Sequence, residues 1–266
     1  MTKQHTQVRK ELDDDRKSAH QAVNGLGAVH GLPDYKQYWQ EKARSLDQQV
    51  EHFDTRTLFV FPNLNTNISW SPAIQTLCAY LRKKGYSSDV SHLSAVTQKG
   101  LDELLIDIKE YEPSVVGFTA TSFEFGQTNE MAKRIKALHP ELPVILGGIH
   151  ATLNPDNLQG SSFDGFCIGE GETPMVDLVG RLERKEDYTS TPGFMFKREG
   201  KIVNNGTVPF IKDLEDIGPM DWDVFDTGKI LDNRNGWLSI GFSRGCPYLC
   251  TFCVNGALRE VKGKKW

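Results

Sequence analysis

Between Thr57 and Arg184 short apolar runs alternate with amphipathic stretches of helical period, and this alternation limits the chain to few architectures. The apolar runs predict strands over residues 58–61, 88–92, 115–119, 144–146 and 165–168. Ile74, Leu77, Cys78 and Leu81 fall at i, i+3, i+4 and i+7, as do Leu101, Leu104, Leu105 and Ile108, and Met175, Leu178, Val179 and Leu182. Each set forms one apolar helix face. Ser71 as N-cap with Pro72 at the first helical position opens the first helix and Gly85 ends it; Thr173 and Pro174 open the last in the same way.

Parallel neighbours need long crossovers, so five strands alternating with helices predict an α/β fold: a Rossmann-like, flavodoxin-like five-stranded parallel sheet covered on both faces. Ligands in such sheets bind beyond the carboxyl ends of the strands. Beyond Arg184 a hairpin is expected over 193–197 and 201–204, turning at Glu199-Gly200. Residues 209–226, rich in Asp and Pro, read as a linker, and Trp237–Phe242 reads as a new strand. The predicted domains are an N-terminal, partly helical extension (1–54), the parallel-sheet domain (55–185), hairpin and linker (186–236) and the start of a further domain (237–266).

Lys and Arg total 31 against 35 Asp and Glu, a net charge of -4, which disfavours nucleic acid and anionic lipid as partners. The start is polar, and no apolar run approaches the roughly 18 residues of a membrane span, so the expected compartment is the cytoplasm. Three of the five cysteines lie within eight residues, which suits metal ligation in a reducing compartment rather than a disulfide framework.

The fourth strand leads into Gly147-Gly148-Ile149-His150-Ala151-Thr152 and the fifth into Gly169-Glu170-Gly171-Glu172. Glycine pairs let a backbone approach a ligand closely. They also make ordinary tight turns, a single His is often a hydrogen-bonded loop residue, and acidic residues before a helix suit its dipole. The third feature is Ser243-Arg244-Gly245-Cys246-Pro247-Tyr248-Leu249-Cys250-Thr251-Phe252-Cys253. Three thiolates at C-x3-C-x2-C can face one iron-sulfur cluster, and because four ligands normally close a 4Fe-4S centre, three leave one iron open. A zinc site would want a fourth Cys or His nearby, and none follows before Trp266. Cys78 and Cys167 sit on a helix face and in a strand, where free Cys is ordinarily packing.

The cysteine spacing, with an aromatic residue before the third Cys, resembles the radical S-adenosylmethionine (SAM) signature. Residues 57–185, from Val115-Val116-Gly117-Phe118-Thr119 through the two glycine loops, resemble the cobalamin-binding domain attached to many such enzymes. The resemblance implies that Cys246, Cys250 and Cys253 hold a 4Fe-4S cluster whose open iron chelates SAM, which is cleaved to methionine and a 5'-deoxyadenosyl radical, and that Phe252 lies near the adenine. It implies cobalamin contacts at Thr119, Thr121, Gly147, Gly148, His150, Thr152, Gly169, Glu170 and Gly171. Methionine synthase and the mutases carry Asp-x-His-x-x-Gly after the first strand; here that loop reads Pro62-Asn63-Leu64-Asn65-Thr66-Asn67-Ile68. Base-off cobalamin without a protein His ligand is therefore expected.

The implied activity is methyl transfer or rearrangement at an unactivated carbon of a small-molecule or peptide substrate, with an electron donor such as flavodoxin or ferredoxin. The alternatives are a corrinoid-binding module without catalysis and a radical SAM enzyme with a vestigial cobalamin domain. In this family the cluster loop follows the first strand of a partial (β/α) barrel. A complete eight-unit barrel takes about 250 residues, whereas residues 254–266 alone follow Cys253. The chain is therefore expected to be the truncated front of a longer enzyme, inactive by itself.

Overall fold

The computed structural model describes residues 51–63, 69–93, 98–241 and 243–262; most of the extension predicted over 1–54 lies outside them. Residues 51–225 and 238–266 fall in one compact unit and residues 226–237 in another. The hairpin, most of the predicted linker and the cysteine segment share a unit with the sheet.

In chain order the elements are β1 (Arg56–Pro62), α1 (Pro72–Lys83), β2 (Ser87–Leu93), α2 (Gln98–Tyr111), β3 (Val115–Thr119), α3 (Phe125–Leu138), β4 (Val144–Gly147), α4 (Gly148–Leu153), β5 (Gly165–Cys167), α5 (Glu172–Glu183), β6 (Phe194–Arg198), β7 (Lys201–Asn204), α6 (Thr227–Asn233) and α7 (Val254–Lys262). The five predicted strands are β1–β5, and they run parallel in the order β2-β1-β3-β4-β5. The hairpin turns at Glu199 (φ 49°) and Gly200 (φ 76°), backbone angles that match the twist of the strands it joins. It docks antiparallel on β5, so the sheet has seven strands rather than five.

Ser71 caps α1 as expected, its hydroxyl accepting from the Ile74 amide at 3.4 Å. The start of α5 differs: Glu172 is its first residue and Gly171 its N-cap, without a side-chain cap hydrogen bond. Four helices, α3, α4, α6 and α7, had no expectation. In α3 the buried residues Thr128, Met131, Ala132 and Ile135 keep the i, i+3, i+4, i+7 rhythm, but Thr and Ala dilute it. The short α4 opens on Gly148 (φ 88°).

The pleat splits the sheet into two different faces. Leu58 and Val60, Val116 and Phe118, and Val144 and Leu146 enter a core with Leu104 of α2 and Met131 and Ile135 of α3. The alternate positions form one row across five strands, Phe59–Gly117–Ile145–Gly165–Phe196. A Cβ on Gly117 would stand 3.0 Å from the Phe59 ring, and one on Gly165 would overlap the Phe196 ring. The glycines make room for the large neighbours, and the face left open by Phe59, Gly117 and Ile145 floors a cavity.

The strand expected over Trp237–Phe242 does not form among the described residues 237–241. A strand is held by a hydrogen-bonded neighbouring strand; among the described residues no strand of the sheet pairs with this segment, and Trp237, Leu238 and Ile240 are exposed.

Candidate functional site

The cavity encloses about 840 Å³ beyond the carboxyl ends of β3, β4 and β5. Its floor is the open sheet face, one side is α1 with Leu77, and another is the start of α5 with Met175. Leu214, Ile217, Met220 and Trp222 close it from the segment expected to be a linker. That segment is packed rather than free. Ile217 is buried, Trp222 meets Trp70 edge-on with centroids 5.6 Å apart, and Asp221 pairs with Arg82. Sequence reading missed it because its apolar residues follow no period.

Six of the nine expected cobalamin contacts line this cavity: Thr119, Gly147, Gly148, Gly169, Glu170 and Gly171. A second hollow of about 530 Å³, beside the end of β3, is lined by Thr119, Thr121 and Gly148 together with Asn63 and Glu124. Thr121 is held there by Glu124, whose carboxylate accepts from both its amide and its hydroxyl at 2.8 Å. A Cβ on Gly169 would meet nothing within 4 Å, so this loop offers bare backbone to the cavity.

His150 and Thr152 lie elsewhere. His150 is 4% exposed and stacks on Phe125 with centroids 3.9 Å apart. The Asn157 amide donates to its Nε2 at 3.2 Å, so Nδ1 carries the proton and donates to the Ser122 hydroxyl at 3.0 Å. Both ring nitrogens are committed within the protein, and burial pushes the imidazole below its ordinary range. The Thr152 hydroxyl donates to the Gly148 carbonyl at 2.9 Å and accepts from the Gly169 amide at 3.1 Å. Thr152 thus braces both glycine loops from behind.

The cysteine segment completes the cavity wall with Ser239, Ile240, Gly241, Ser243, Arg244 and Gly245. The Arg244 Nη2 donates to Glu172 Oε1 at 2.5 Å, and Nη1 lies 3.5 Å from Glu170 Oε1. Neither Arg244 nor Glu172 was singled out from sequence, although both stand inside the motifs that were. Farther on, the Cys253 amide donates to the Cys250 carbonyl at 3.0 Å, α7 follows, and Leu258 of α7 reaches the cavity.

Cys246 and Cys253 are half-buried, Cys250 is exposed, and all three are free thiols. The donor set suits an iron-sulfur cluster, but it is not preassembled: among the described residues no three Cys, His, Asp or Glu side chains converge as a metal-holding group. Phe252 is 92% exposed beside them. Cys78 and Cys167 are packing residues, and burial pushes each thiol up to about 12. For a corrinoid the fit is closer. The lining is mostly apolar, glycine loops expose backbone at the rim, and the charged side chains among the lining residues are Glu170, Glu172 and Arg244.

The B12 binding domain family matches residues 69–179. Over 213 residues the chain is 32% identical to the anaerobic magnesium-protoporphyrin IX monomethyl ester cyclase of Rubrivivax gelatinosus, covering 74% of this chain and 38% of the cyclase. It is 29% identical over 153 residues to the cobalamin-dependent radical SAM methyltransferase TokK of Streptomyces tokunonensis, covering 55% of this chain and 22% of TokK. The chain thus spans well under half the length of these relatives. The cobalamin-dependent SAM radical enzyme OxsB, solved with aqua-cobalamin and SAM bound, shares the fold with a TM-score of 0.64 at 21% identity, over 80% of this chain and 29% of OxsB. Sheet order and glycine loops agree with these similarities: the chain carries a B12 binding domain and is similar over that region to radical SAM enzymes that have one.

Proposed function

We propose that this chain is the cofactor-binding front of a cobalamin-dependent radical SAM enzyme, holding a corrinoid in the cavity and a 4Fe-4S cluster on Cys246, Cys250 and Cys253. The observation that carries this reading is that the cysteine-bearing segment is itself a wall of the cavity lined by the glycine loops. In the bound state the cluster supplies reductive cleavage of SAM and the corrinoid supplies methyl transfer or assists rearrangement at an unactivated carbon.

The chain's own residues divide the remaining work. The row Phe59, Gly117 and Ile145 gives a flat apolar floor that excludes water. The backbone at Gly147, Gly148, Gly169 and Gly171 lets a bulky ligand approach without side chains intervening. The loop after β1 has no histidine, and both nitrogens of His150 are occupied, which supports base-off binding without a His ligand. Phe252, exposed beside Cys253, offers a ring face for the adenine of SAM. An electron donor of the flavodoxin or ferredoxin type, a small-molecule or peptide substrate and a cytoplasmic setting complete the proposal. Among the described residues no helix is long and apolar enough to cross a membrane.

The test is anaerobic reconstitution of the chain with iron, sulfide and hydroxocobalamin, followed by desalting, metal analysis and an absorption spectrum. The expected result is retained base-off cobalamin beside an iron-sulfur band, with the band lost in the Cys246→Ala, Cys250→Ala and Cys253→Ala variants. Stoichiometric zinc with no sulfide would overturn the cluster assignment, and a cluster without corrinoid would make the cobalamin domain vestigial.

A further inference from the structure

The stretch Ser243-Arg244-Gly245 lies directly before Cys246, so whatever holds it also places the cysteine loop. Arg244 reaches the loop after β5, where Glu172 takes its Nη2 and Glu170 lies beside its Nη1. The Glu172 side chain is 5% exposed and that of Arg244 29%, so solvent and salt screen this pair less than a surface ion pair. The Glu172 Oε2 is buried without a hydrogen-bond partner, which leaves Arg244 as its charge compensation among the described residues. Removing one member of such a pair leaves the other buried and uncompensated.

The far end of the cysteine loop is anchored on the same foundation. Helix α7 packs against α4, and the Arg259 Nη1 donates to the Pro247 carbonyl at 3.2 Å. Both anchors of the loop therefore rest on the segments after β4 and β5 that also carry the glycine rim.

We propose that Arg244 is a positioning residue that couples the two cofactor sites through its ion pair with Glu172. The pair holds residues 239–241 and 243–245 as the cavity wall, so corrinoid binding orders the cysteine segment and docking of the segment tightens corrinoid binding. Linkage makes these two effects equal in free energy. The coupling rests on the proposed reading of the cavity as a corrinoid site.

The full chain, reconstituted with iron and sulfide, is titrated with hydroxocobalamin while amide hydrogen exchange is followed at residues 239–245. In the wild type the corrinoid slows exchange there. Arg244→Met is expected to weaken corrinoid binding about tenfold, within the range for coupled neighbours, and to abolish the corrinoid-dependent protection. Arg244→Lys restores part of both, and adding Glu172→Gln to Arg244→Met costs little more. Unchanged exchange on β3 and β4 shows that the variants fold. If the wild type retains no hydroxocobalamin, the corrinoid reading fails and the coupling with it. If the wild type binds but Arg244→Met keeps wild-type affinity and protection, the coupling alone is overturned.

Discussion

The Thr152 hydroxyl accepts a hydrogen bond from the Gly169 amide at 3.1 Å, joining the segment after β4 to the loop after β5. The same hydroxyl donates to the Gly148 carbonyl, so one side-chain oxygen sets the spacing of both glycine loops at the cavity rim. Thr152→Val keeps the shape and removes the oxygen, leaving the Gly169 amide unpaired at a cost of about 1–2 kcal/mol. The expected result is a lower urea midpoint and several-fold weaker hydroxocobalamin binding, both largely restored by Thr152→Ser. Wild-type binding by Thr152→Val would mean that the rim holds its spacing without the hydroxyl.

Gly165 tests the row of alternating large and small residues. A Cβ there would overlap the Phe196 ring and stand 2.9 Å from the Met195 carbonyl oxygen. The ring can turn but the carbonyl belongs to the β5–β6 pairing. Gly165→Ala should destabilise the chain by about 2–3 kcal/mol through overpacking, measured by urea unfolding, and pairing it with Phe196→Leu should recover part of the loss. Equal destabilisation in the single and double variants would show that the ring is not the obstacle.

These positions mark where the sequence stops being readable. β1, β3, β4 and β5 were legible because each is a local apolar run, and α1, α2 and α5 because their periods are unbroken. The hairpin was legible from Glu199-Gly200, a local turn signal. Gly117 and Gly165 carried no such signal, since the rings they accommodate, Phe59 and Phe196, are brought beside them by strand pairing. The glycine loops were found as motifs, but sequence could not separate Gly169, open to the cavity, from His150, which is turned into the protein. The pairing of Arg244 with Glu172 spans 72 positions, a separation at which neither residue type predicts the other.

The cysteines fall into two classes that a labelling experiment distinguishes. A thiol alkylates as its thiolate, and Cys78 and Cys167 combine burial with values pushed up to about 12. Iodoacetamide on the folded, metal-free chain should therefore modify Cys246, Cys250 and Cys253 and spare the other two, as read by intact mass and peptide mapping. After reconstitution with iron and sulfide the same three should be protected. Labelling of Cys167 at a comparable rate would mean that the end of β5 opens to solvent, contrary to its buried place beside Glu172.

His150 makes the stability of the site depend on pH. Burial lowers its folded value from the ordinary imidazole value near 6.5, and its Nε2 already accepts from the Asn157 amide, so a second proton has no acceptor there. Above that value the ring is neutral in both folded and unfolded chains and contributes no pH slope. As pH falls through it, the unfolded chain takes up a proton that the folded chain refuses until its own lower value is reached. Stability contributed by the neutral ring is therefore lost on acidification across that window. Urea midpoints of the wild type and His150→Gln, compared between about pH 7.5 and pH 5.5, should show the steeper decline in the wild type; the difference between the two profiles isolates His150. Parallel profiles would mean that His150 is protonated as readily in the folded chain as in the unfolded one.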